Sequence, residues 1–175
     1  MKNLYLYIEE SLKRLGKGEE GIVYDLGDGK VKKVFHRGKV PMVYQLMKSA
    51  TDYGVIECLP KVFEVGDDYI IRENCKPGTK KCKEYYKLSQ CNPWVNTESC
   101  MNLVLNGHYW YDPDNNSYYT DIKGIVSKPL MEVINWMVRL KYEISQVTGQ
   151  EIGLGDFALK NLGETSDGRV VLMDI

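Results

Sequence analysis

The sequence predicts an α+β fold, in which a small antiparallel five-stranded sheet with one helix precedes a reduced and mainly helical region. Two hairpin signals lie in the first 74 residues, at Asp28-Gly29 and at Gly66-Asp67-Asp68, and each separates two apolar runs. A segment whose apolar residues have helical spacing lies between these hairpins. The longest amphipathic segment of the chain follows later, over residues 128–148.

The first region, residues 1–74, is predicted to run in the order strand, strand, strand, helix, strand, strand. The runs GIVYDLG and KVKKVF flank the first turn, and LPKVFEVGDDYIIRE supplies the second hairpin. The helix ends at Gly54. It is indicated by apolar residues at helical spacing: Val40, Val43, Tyr44 and Met47. This order predicts a small antiparallel sheet against which one helix packs.

The second region, residues 75–175, contains the longest predicted helix, with Ser127 placed to cap it and Gly149 to end it. Its core-facing stripe consists of Leu130, Val133, Ile134, Met137, Leu140, Ile144 and Val147. Before it, NCKPGTKKCKEYYK is interpreted as a linker, because Pro77-Gly78 interrupts the pattern. HYWYDPDNNSYYTDI predicts a hairpin whose aromatic face either docks to a partner or packs within the molecule.

Composition and charge exclude several classes of function. The 175-residue chain is 43% hydrophobic and has a net charge of −1, so no field of one sign favours nucleic acid or a membrane surface. No apolar run approaches the roughly 20 residues that a bilayer requires, and the N-terminus lacks the apolar core of a secretory signal. Five cysteines without C-x-x-C spacing predict free thiols rather than a zinc site. A reducing, cytoplasmic environment is therefore expected.

A glycine-rich motif lies near the start of the chain. LGKGEEGIVY contains the pattern G-x-G-x-x-G-x-V, formed by Gly16, Gly18, Gly21 and Val23. A dinucleotide-binding motif requires a helix after the glycines, but a strand and a hairpin are predicted here. Two alternatives remain: a hairpin whose backbone N–H groups approach phosphates, and an ordinary glycine-rich turn.

The next strand, KVKKVF, carries a lysine in a suggestive position. Side chains alternate between the two faces of a strand, so Val31 and Lys33 are predicted to share one face while Lys32 points to the other. In a cleft under the glycine turn, Val31 would lie against adenine and Lys33 against phosphate oxygens. A lysine that is merely solvated is the alternative.

Three polar residues near the end of the sequence have a spacing that suits metal and phosphoryl chemistry. Asp156 precedes Asn161 by five positions, and Asp174 follows Asn161 by 13. Oxygen ligands from Asn161 and Asp174 suit Mg²⁺, a hard cation. Asp156 would then orient an attacking hydroxyl and accept its proton.

With these motifs in place, the sequence resembles the protein kinase-like superfamily over nearly its whole length. GKGEEGIV resembles the kinase glycine-rich loop, VKK up to Lys33 the strand with the ATP lysine, and YIIRENCKPG the strand that leads into the hinge. GDFALKN is similar to the catalytic loop, and MDI to the start of the metal-binding motif. The short form resembles small kinases of bacteriophages and secreted bacterial effectors, for which the compartment would be the host cytoplasm.

The resemblance implies a bilobal protein kinase-like fold, with an N-lobe over residues 1–74 and a minimal C-lobe over residues 75–175. It assigns the long helix to 128–148, the catalytic loop to 154–161 and the metal-binding strand end to 170–175.

The resemblance also implies ATP and Mg²⁺ as ligands. Lys33 would contact the phosphates, Asp156 would be the catalytic base, and Asn161 and Asp174 would hold the metal. Arg72 takes the gatekeeper position, beside a hinge backbone that reads adenine. The nucleotide-binding residues implied in this way are Gly16, Gly18, Gly21, Val23, Val31, Lys33, Glu73 and Cys75.

The sequence departs from the family pattern at the carboxylate that pairs with the ATP lysine. The predicted helix after Lys33 has no glutamate, so Gln45 is the nearest polar substitute, with Glu57 and Glu64 as further candidates. Leu-Gly replaces the His-Arg pair before the catalytic aspartate, and no counterpart of the activation loop is recognised.

These features favour a minimal Ser/Thr protein kinase-like enzyme that transfers the γ-phosphoryl group of Mg-ATP to a protein hydroxyl. A pseudokinase-like module, which binds nucleotide or a partner without turnover, is the first alternative, because the helix glutamate is missing. A small-molecule phosphotransferase is the second, because Gly-Asp replaces Arg-Asp. The expected partners are ATP and a protein substrate or docking partner, with neither nucleic acid nor membrane.

Overall fold

The structure is a computed structural model, and it describes residues 12–91, 109–112, 117–120, 124–149 and 158–173. These residues form an α+β fold with three α-helices, one five-stranded antiparallel sheet and two three-stranded sheets. None of the helices in these ranges is both long and apolar enough to cross a membrane.

The amino-terminal sheet consists of β1 (Arg14–Lys17), β2 (Gly21–Gly27), β3 (Lys30–Phe35), β4 (Val62–Val65) and β5 (Tyr69–Glu73). Its strand order is β1-β2-β3-β5-β4, and every neighbouring pair is antiparallel. The predicted five-stranded antiparallel sheet is therefore confirmed. The first hairpin turns at Asp28 and Gly29, whose φ angles of 47° and 72° are those that a type I′ turn requires.

Helix α1 (Val43–Asp52) lies between β3 and β4 in the chain, as predicted, and packs on the sheet. Tyr44 and Met47 of the predicted apolar stripe are buried, and the Tyr44 ring centre lies 5.4 Å from that of Phe35. Gly54 follows the helix with a φ of 68°, a conformation that glycine adopts without steric cost. The helix thereby presents Tyr44 to the inner face of β3.

Helix α2 (Lys80–Cys91) occupies the segment that was predicted to be a linker, so that interpretation is wrong. Thr79 caps the helix: its hydroxyl oxygen accepts a hydrogen bond from the Cys82 N–H at 3.2 Å. The inward side of the helix comes from positions three and four apart, namely Cys82, Tyr85, Tyr86 and Ser89. Leu88 is the single aliphatic residue of this helix that packs against the core, and lysines surround the inward side, which explains why its sequence does not indicate an amphipathic helix.

Helix α3 (Lys128–Thr148) confirms the longest predicted helix and its bounds. Every residue of the predicted core stripe is buried. Gly149 follows with a φ of 69°, and its N–H donates to Ser145 O at 2.9 Å, which is the glycine termination that was predicted. Ser127 ends strand β9 (Gly124–Ser127) and directly precedes the helix, which is the position that an N-cap residue occupies.

Two three-stranded sheets complete the described part of the chain. Strands β7 (Tyr109–Asp112) and β8 (Ser117–Thr120) confirm the predicted aromatic hairpin, and β9 pairs with β8; residues 113–116 at the turn lie outside the described residues. The other sheet has the order β11-β10-β6 and contains β6 (Lys76–Pro77), β10 (Leu162–Glu164) and β11 (Val170–Leu172). Because β6 follows β5 closely, it joins the first region to the segment after Asn161.

One hydrophobic core cluster includes residues from both regions. Met47 of α1, Ile70 of β5 and Met137 of α3 belong to it and are almost fully buried. Glu143 of α3 is also buried, and its carboxylate accepts hydrogen bonds from the N–H groups of residues 57–59 at 2.8–3.2 Å. Because a buried carboxylate requires such partners, Glu143 holds the segment after α1 against the long helix.

Candidate nucleotide-binding site

Lys33 faces the interior side of the five-stranded sheet. It is 7% exposed, and Val31 and Phe35 on the same face of β3 are also buried. Lys32 points the other way, where its Nζ lies 4.4 Å from the centre of the Tyr69 ring. The alternation expected for a strand is therefore present, and this burial argues against a Lys33 that is merely solvated.

The Lys33 ammonium group forms an ion pair with a carboxylate from the glycine-rich turn. Its Nζ lies 2.6 Å from Glu20 Oε2 and 3.3 Å from the Tyr44 hydroxyl. The centres of the Phe35 and Tyr44 rings lie 5.0 Å and 5.6 Å away, within the range of cation–π attraction. Val23 of β2 is the cross-strand neighbour of Lys33. Glu20 has no signal in the sequence for this role, since only the β2–β3 hairpin brings it to Lys33.

The prediction that Gln45, Glu57 or Glu64 is the polar partner of Lys33 is wrong. Gln45 is exposed on α1. Glu57 pairs with Arg139 at 3.4 Å, and Glu64 accepts a hydrogen bond from the Tyr69 hydroxyl. The helix thus contributes a tyrosine hydroxyl to the surroundings of Lys33, while the acidic partner comes from the turn.

The glycine-rich turn is closed by a hydrogen bond from the Gly18 N–H to Gly21 O at 2.9 Å. Packing within the sheet requires glycine at position 21, since a Cβ atom there would lie 2.2 Å from Val34 O. A Cβ atom at Gly16 or Gly18 would meet no atom of the described residues within 4 Å. The space at these two glycines therefore allows close approach of a ligand to the backbone.

A short chain of contacts connects the inner face of β3 to Asn161. Arg72 of β5 is the cross-strand neighbour of Val31. Arg72 Nη1 donates to Met173 O at 2.8 Å, and the Met173 N–H donates to Asn161 O at 2.7 Å. Arg72 Nε is buried and has no hydrogen-bond partner among the described residues. Arg72 therefore brings a positive charge to the strand end that precedes Asp174.

Two of the predicted site residues, Asp156 and Asp174, lie outside the described residues. Asn161 ends a short 3₁₀ helix (Leu159–Asn161) directly before β10. Within the described ranges, no three side chains of His, Cys, Asp or Glu cluster as metal ligands. The Asn161 amide oxygen is of the kind that Mg²⁺ binds, and its predicted partner in metal binding, Asp174, lies outside the described residues.

The strand end at Glu73 is anchored through both its backbone and its side chain. The Glu73 N–H donates to Lys61 O at 2.9 Å, and the Asn74 N–H donates to Gly29 O at 2.8 Å. The Glu73 carboxylate accepts a hydrogen bond from the Lys61 N–H at 3.2 Å. These bonds hold the predicted hinge in register with the sheet.

Arg169, which has no functional signal in the sequence, connects this strand end to the turn between β10 and β11. Its Nη2 lies 2.7 Å and 2.8 Å from the two oxygens of Glu73, and its Nε lies 2.9 Å from Asp167 Oδ2. Its Nη1 donates to Glu57 O at 2.8 Å. Burial alone lowers the pKa of Arg169, but the hydrogen bonds to Glu73 and Asp167 outweigh burial and raise that pKa. Arg169 therefore stays charged.

Cys75 lies where the resemblance implies contact with adenine. Burial raises the pKa of its thiol to about 11, and its Sγ lies 3.6 Å from Glu73 O. A Cβ atom at Gly163 would lie 2.7 Å from both Cys75 Cβ and Met173 Sδ. Cys75 is thus packed closely against β10, and its thiol is a poor nucleophile.

A cavity of about 850 Å³ lies away from Lys33, between α2, α3 and the β10–β11 turn. Two of its cations already have partners: Lys81 donates to Gly168 O, and Arg169 to Glu73. Neither the glycine-rich turn nor Lys33 lines it, so its residues are separate from the site predicted by the sequence.

Comparison with known proteins adds no assignment to this geometry: no protein-family model matches the chain, and no curated protein is significantly similar to it in sequence.

Proposed function

We propose that this protein is a minimal protein kinase-like phosphotransferase that binds Mg-ATP between an N-lobe, residues 1–74, and a C-lobe, residues 75–175. One observation carries the proposal: Lys33 is buried on the inner face of the sheet and reaches the glycine-rich turn. A buried ammonium group beside open glycines suits the phosphates of a nucleotide, because both offer N–H donors to negative oxygens.

The adenine base would lie against Val23 and Val31, next to the hinge. The N–H groups of Glu73 and Asn74 already donate to neighbouring strands. The base would therefore be read by the Glu73 carbonyl and by the N–H of Cys75. The hinge contact that the resemblance implies would thus consist of two backbone groups, the Glu73 carbonyl and the Cys75 N–H.

Asn161 and Asp174 would hold Mg²⁺, and the ion would neutralise the negative charge of the phosphates. The contacts from Arg72 through Met173 to Asn161 support a position for this pair at the same side of the sheet as Val31. Asp156 would orient the acceptor hydroxyl and take its proton as the phosphoryl group leaves the nucleotide.

A nucleotide-binding module without turnover is the second candidate. It is favoured by one observation: the carboxylate on Lys33 comes from Glu20 in the turn, while helix α1 contributes only the Tyr44 hydroxyl. The lysine–glutamate pair that marks active kinases joins a strand to a helix, and here that connection is replaced.

The test is incubation of the purified protein with γ-labelled ATP, Mg²⁺ and a cell lysate. We expect label on the protein itself or on a lysate protein, and loss of that label in Asp156→Asn and Lys33→Met. Lys32→Met is the matched control, because Lys32 lies on the same strand but on the opposite face. It should retain the label.

Thermal unfolding with ATP and Mg²⁺ separates the candidates. A ligand at 100 times its dissociation constant stabilises a protein by about 2.7 kcal/mol. Stabilisation without transfer of label would support the second candidate. If millimolar ATP with Mg²⁺ does not change the stability of the wild-type protein, both candidates are wrong.

A further inference from the structure

The carboxylate that binds Lys33 comes from the turn that would cover the phosphates. Glu20 lies between Gly18 and Gly21, and its Oε2 lies 2.6 Å from Lys33 Nζ. In this position the carboxylate fills the space beside the ammonium group in which a phosphate would bind. A carboxylate and a phosphate are both anionic oxygen acceptors, so they compete for the same donors.

The ion pair is built in a way that allows its displacement. The Glu20 side chain is 62% exposed, whereas that of Lys33 is buried. Water and salt reach the exposed side of this pair and screen the attraction between its charges. A ligand with several negative charges can therefore replace Glu20, while Lys33 stays in place through the Tyr44 hydroxyl at 3.3 Å and the ring of Phe35.

Other positive charge lies near Glu20. A cavity of about 220 Å³ next to the turn is lined by both carboxylates of the turn, Glu19 and Glu20, and by two cationic residues, Arg37 and Lys39. A carboxylate released from Lys33 would remain near positive charge in this cavity. Displacement from Lys33 would thus shift Glu20 from its observed position on Lys33 to one beside Arg37 and Lys39.

We propose that Glu20 is a built-in competitor of phosphate at Lys33, so that the free protein holds its phosphate site closed and a nucleotide opens it by displacing Glu20. This inference rests on the proposed function, since it assigns the phosphates of the nucleotide to Lys33. It predicts that removal of the Glu20 charge strengthens phosphate binding, whereas a carboxylate that merely positions Lys33 would have the opposite effect.

The experiment compares the dissociation constants of ATP, tripolyphosphate and adenosine for wild type, Glu20→Gln and Glu19→Gln, by calorimetry at fixed ionic strength. Glu20→Gln should bind ATP and tripolyphosphate about threefold more tightly or better, which corresponds to about 0.7 kcal/mol. Adenosine, which has no phosphate, should bind equally to wild type and Glu20→Gln. Glu19→Gln is the matched control, because it removes the same charge from the same turn.

Glu20→Asp is a second variant, which keeps the charge but shortens its reach to Lys33. We expect it to bind ATP with an affinity between those of wild type and Glu20→Gln. Thermal unfolding of each variant verifies that it is folded.

The outcomes separate the two proposals. ATP binding to Glu20→Gln that is equal to or weaker than wild type would overturn the inference and leave the proposed function intact. If Glu19→Gln strengthens ATP binding as much as Glu20→Gln does, the inference is also overturned, since the effect would then come from the net charge of the turn and not from the position of Glu20. Tighter tripolyphosphate binding by Glu20→Gln, without any preference for ATP, would support the inference and contradict a nucleotide function. If no variant binds either phosphate compound, both proposals fall.

Discussion

Arg169 and Glu73 form a forked ion pair in which one guanidinium nitrogen, Nη2, lies 2.7 Å and 2.8 Å from the two carboxylate oxygens. The pair joins the end of β5 to the turn between β10 and β11, although the residues are 96 positions apart. Glu73 is buried and its carboxylate has the Lys61 N–H as a further donor. The contact therefore ties the predicted hinge to the hairpin that follows Asn161.

Removal of Arg169 should destabilise the fold. Arg169→Ala leaves the buried Glu73 carboxylate without its cation, and breaking a buried pair in this way costs about 3 kcal/mol. The measurement is the free energy of unfolding in urea. Arg14→Ala is the control, because Arg14 is exposed on β1 and such changes stay within about 0.5 kcal/mol. A loss no larger than that of the control would show that the pair does not stabilise the end of β5.

Glu143→Gln tests the buried carboxylate of α3. The substitution replaces one acceptor oxygen by an amide N–H₂ that faces backbone donors from residues 57–59. Hydrogen bonds to a charged group are worth about 1.5–3 kcal/mol, so we expect a loss of about 3 kcal/mol in the free energy of unfolding. Glu132→Gln, an exposed position on the same helix, should have little effect. Equal effects of the two substitutions would contradict the role assigned to Glu143.

Asp167 should contribute stability that acid removes. Hydrogen bonds from the Thr165 hydroxyl and from Arg169 hold the pKa of Asp167 at about 2, below its usual range. A carboxylate with a lowered pKa in the folded state stabilises that state above the pKa of the unfolded chain, about 3.9. This stabilisation disappears as the pH falls through about 2.

The measurement is the difference in unfolding free energy between wild type and Asp167→Asn from pH 6 to pH 2. We expect the difference to be constant above about pH 5 and to shrink toward pH 2. It should be small and should decrease in 1 M salt, since the side chain is 53% exposed. A difference independent of pH would mean that Asp167 has its ordinary pKa in the folded protein.

The glycines of the turn should separate into two classes. Gly21→Ala brings a Cβ atom against Val34 O, and overpacking of this kind costs about 1–3 kcal/mol. Gly16→Ala and Gly18→Ala meet no described atom within 4 Å, so their melting temperatures should remain near that of wild type. Under the proposed function, however, these two variants should lose affinity for ATP, because a methyl group keeps phosphates away from the backbone. Calorimetric ATP titration combined with thermal unfolding measures both effects.

Cys75 should react slowly with alkylating agents in the folded protein. Its pKa of about 11 makes the thiolate at pH 8 about 100-fold rarer than for an ordinary thiol near pKa 9, and the thiolate is the reactive form. Mass spectrometry after brief treatment with iodoacetamide measures the modified fraction, with the urea-unfolded protein as reference. Rapid modification of Cys75 in the folded protein would contradict its close packing against β10.

The elements that follow from the sequence are those whose signals are local. Asp28-Gly29 predicts the β2–β3 hairpin because few residue pairs tolerate two consecutive positive φ angles. The apolar period of residues 128–148 predicts α3 and its buried stripe. Period-two alternation likewise predicts that Val31 and Lys33 share the inner face of β3. Helix α2 escapes prediction because its buried side, with Cys82 and Ser89, has no aliphatic period.

The partners of the charged residues follow from tertiary structure. No local pattern connects Glu20 to Lys33, Arg169 to Glu73, or Glu143 to the N–H groups of residues 57–59. Each pair is defined by a contact between elements, because a buried or half-buried charge takes whichever opposite group the packed chain brings within hydrogen-bond distance. Periodicity along the chain determines which face a side chain occupies, whereas the packing of distant segments determines what that side chain meets.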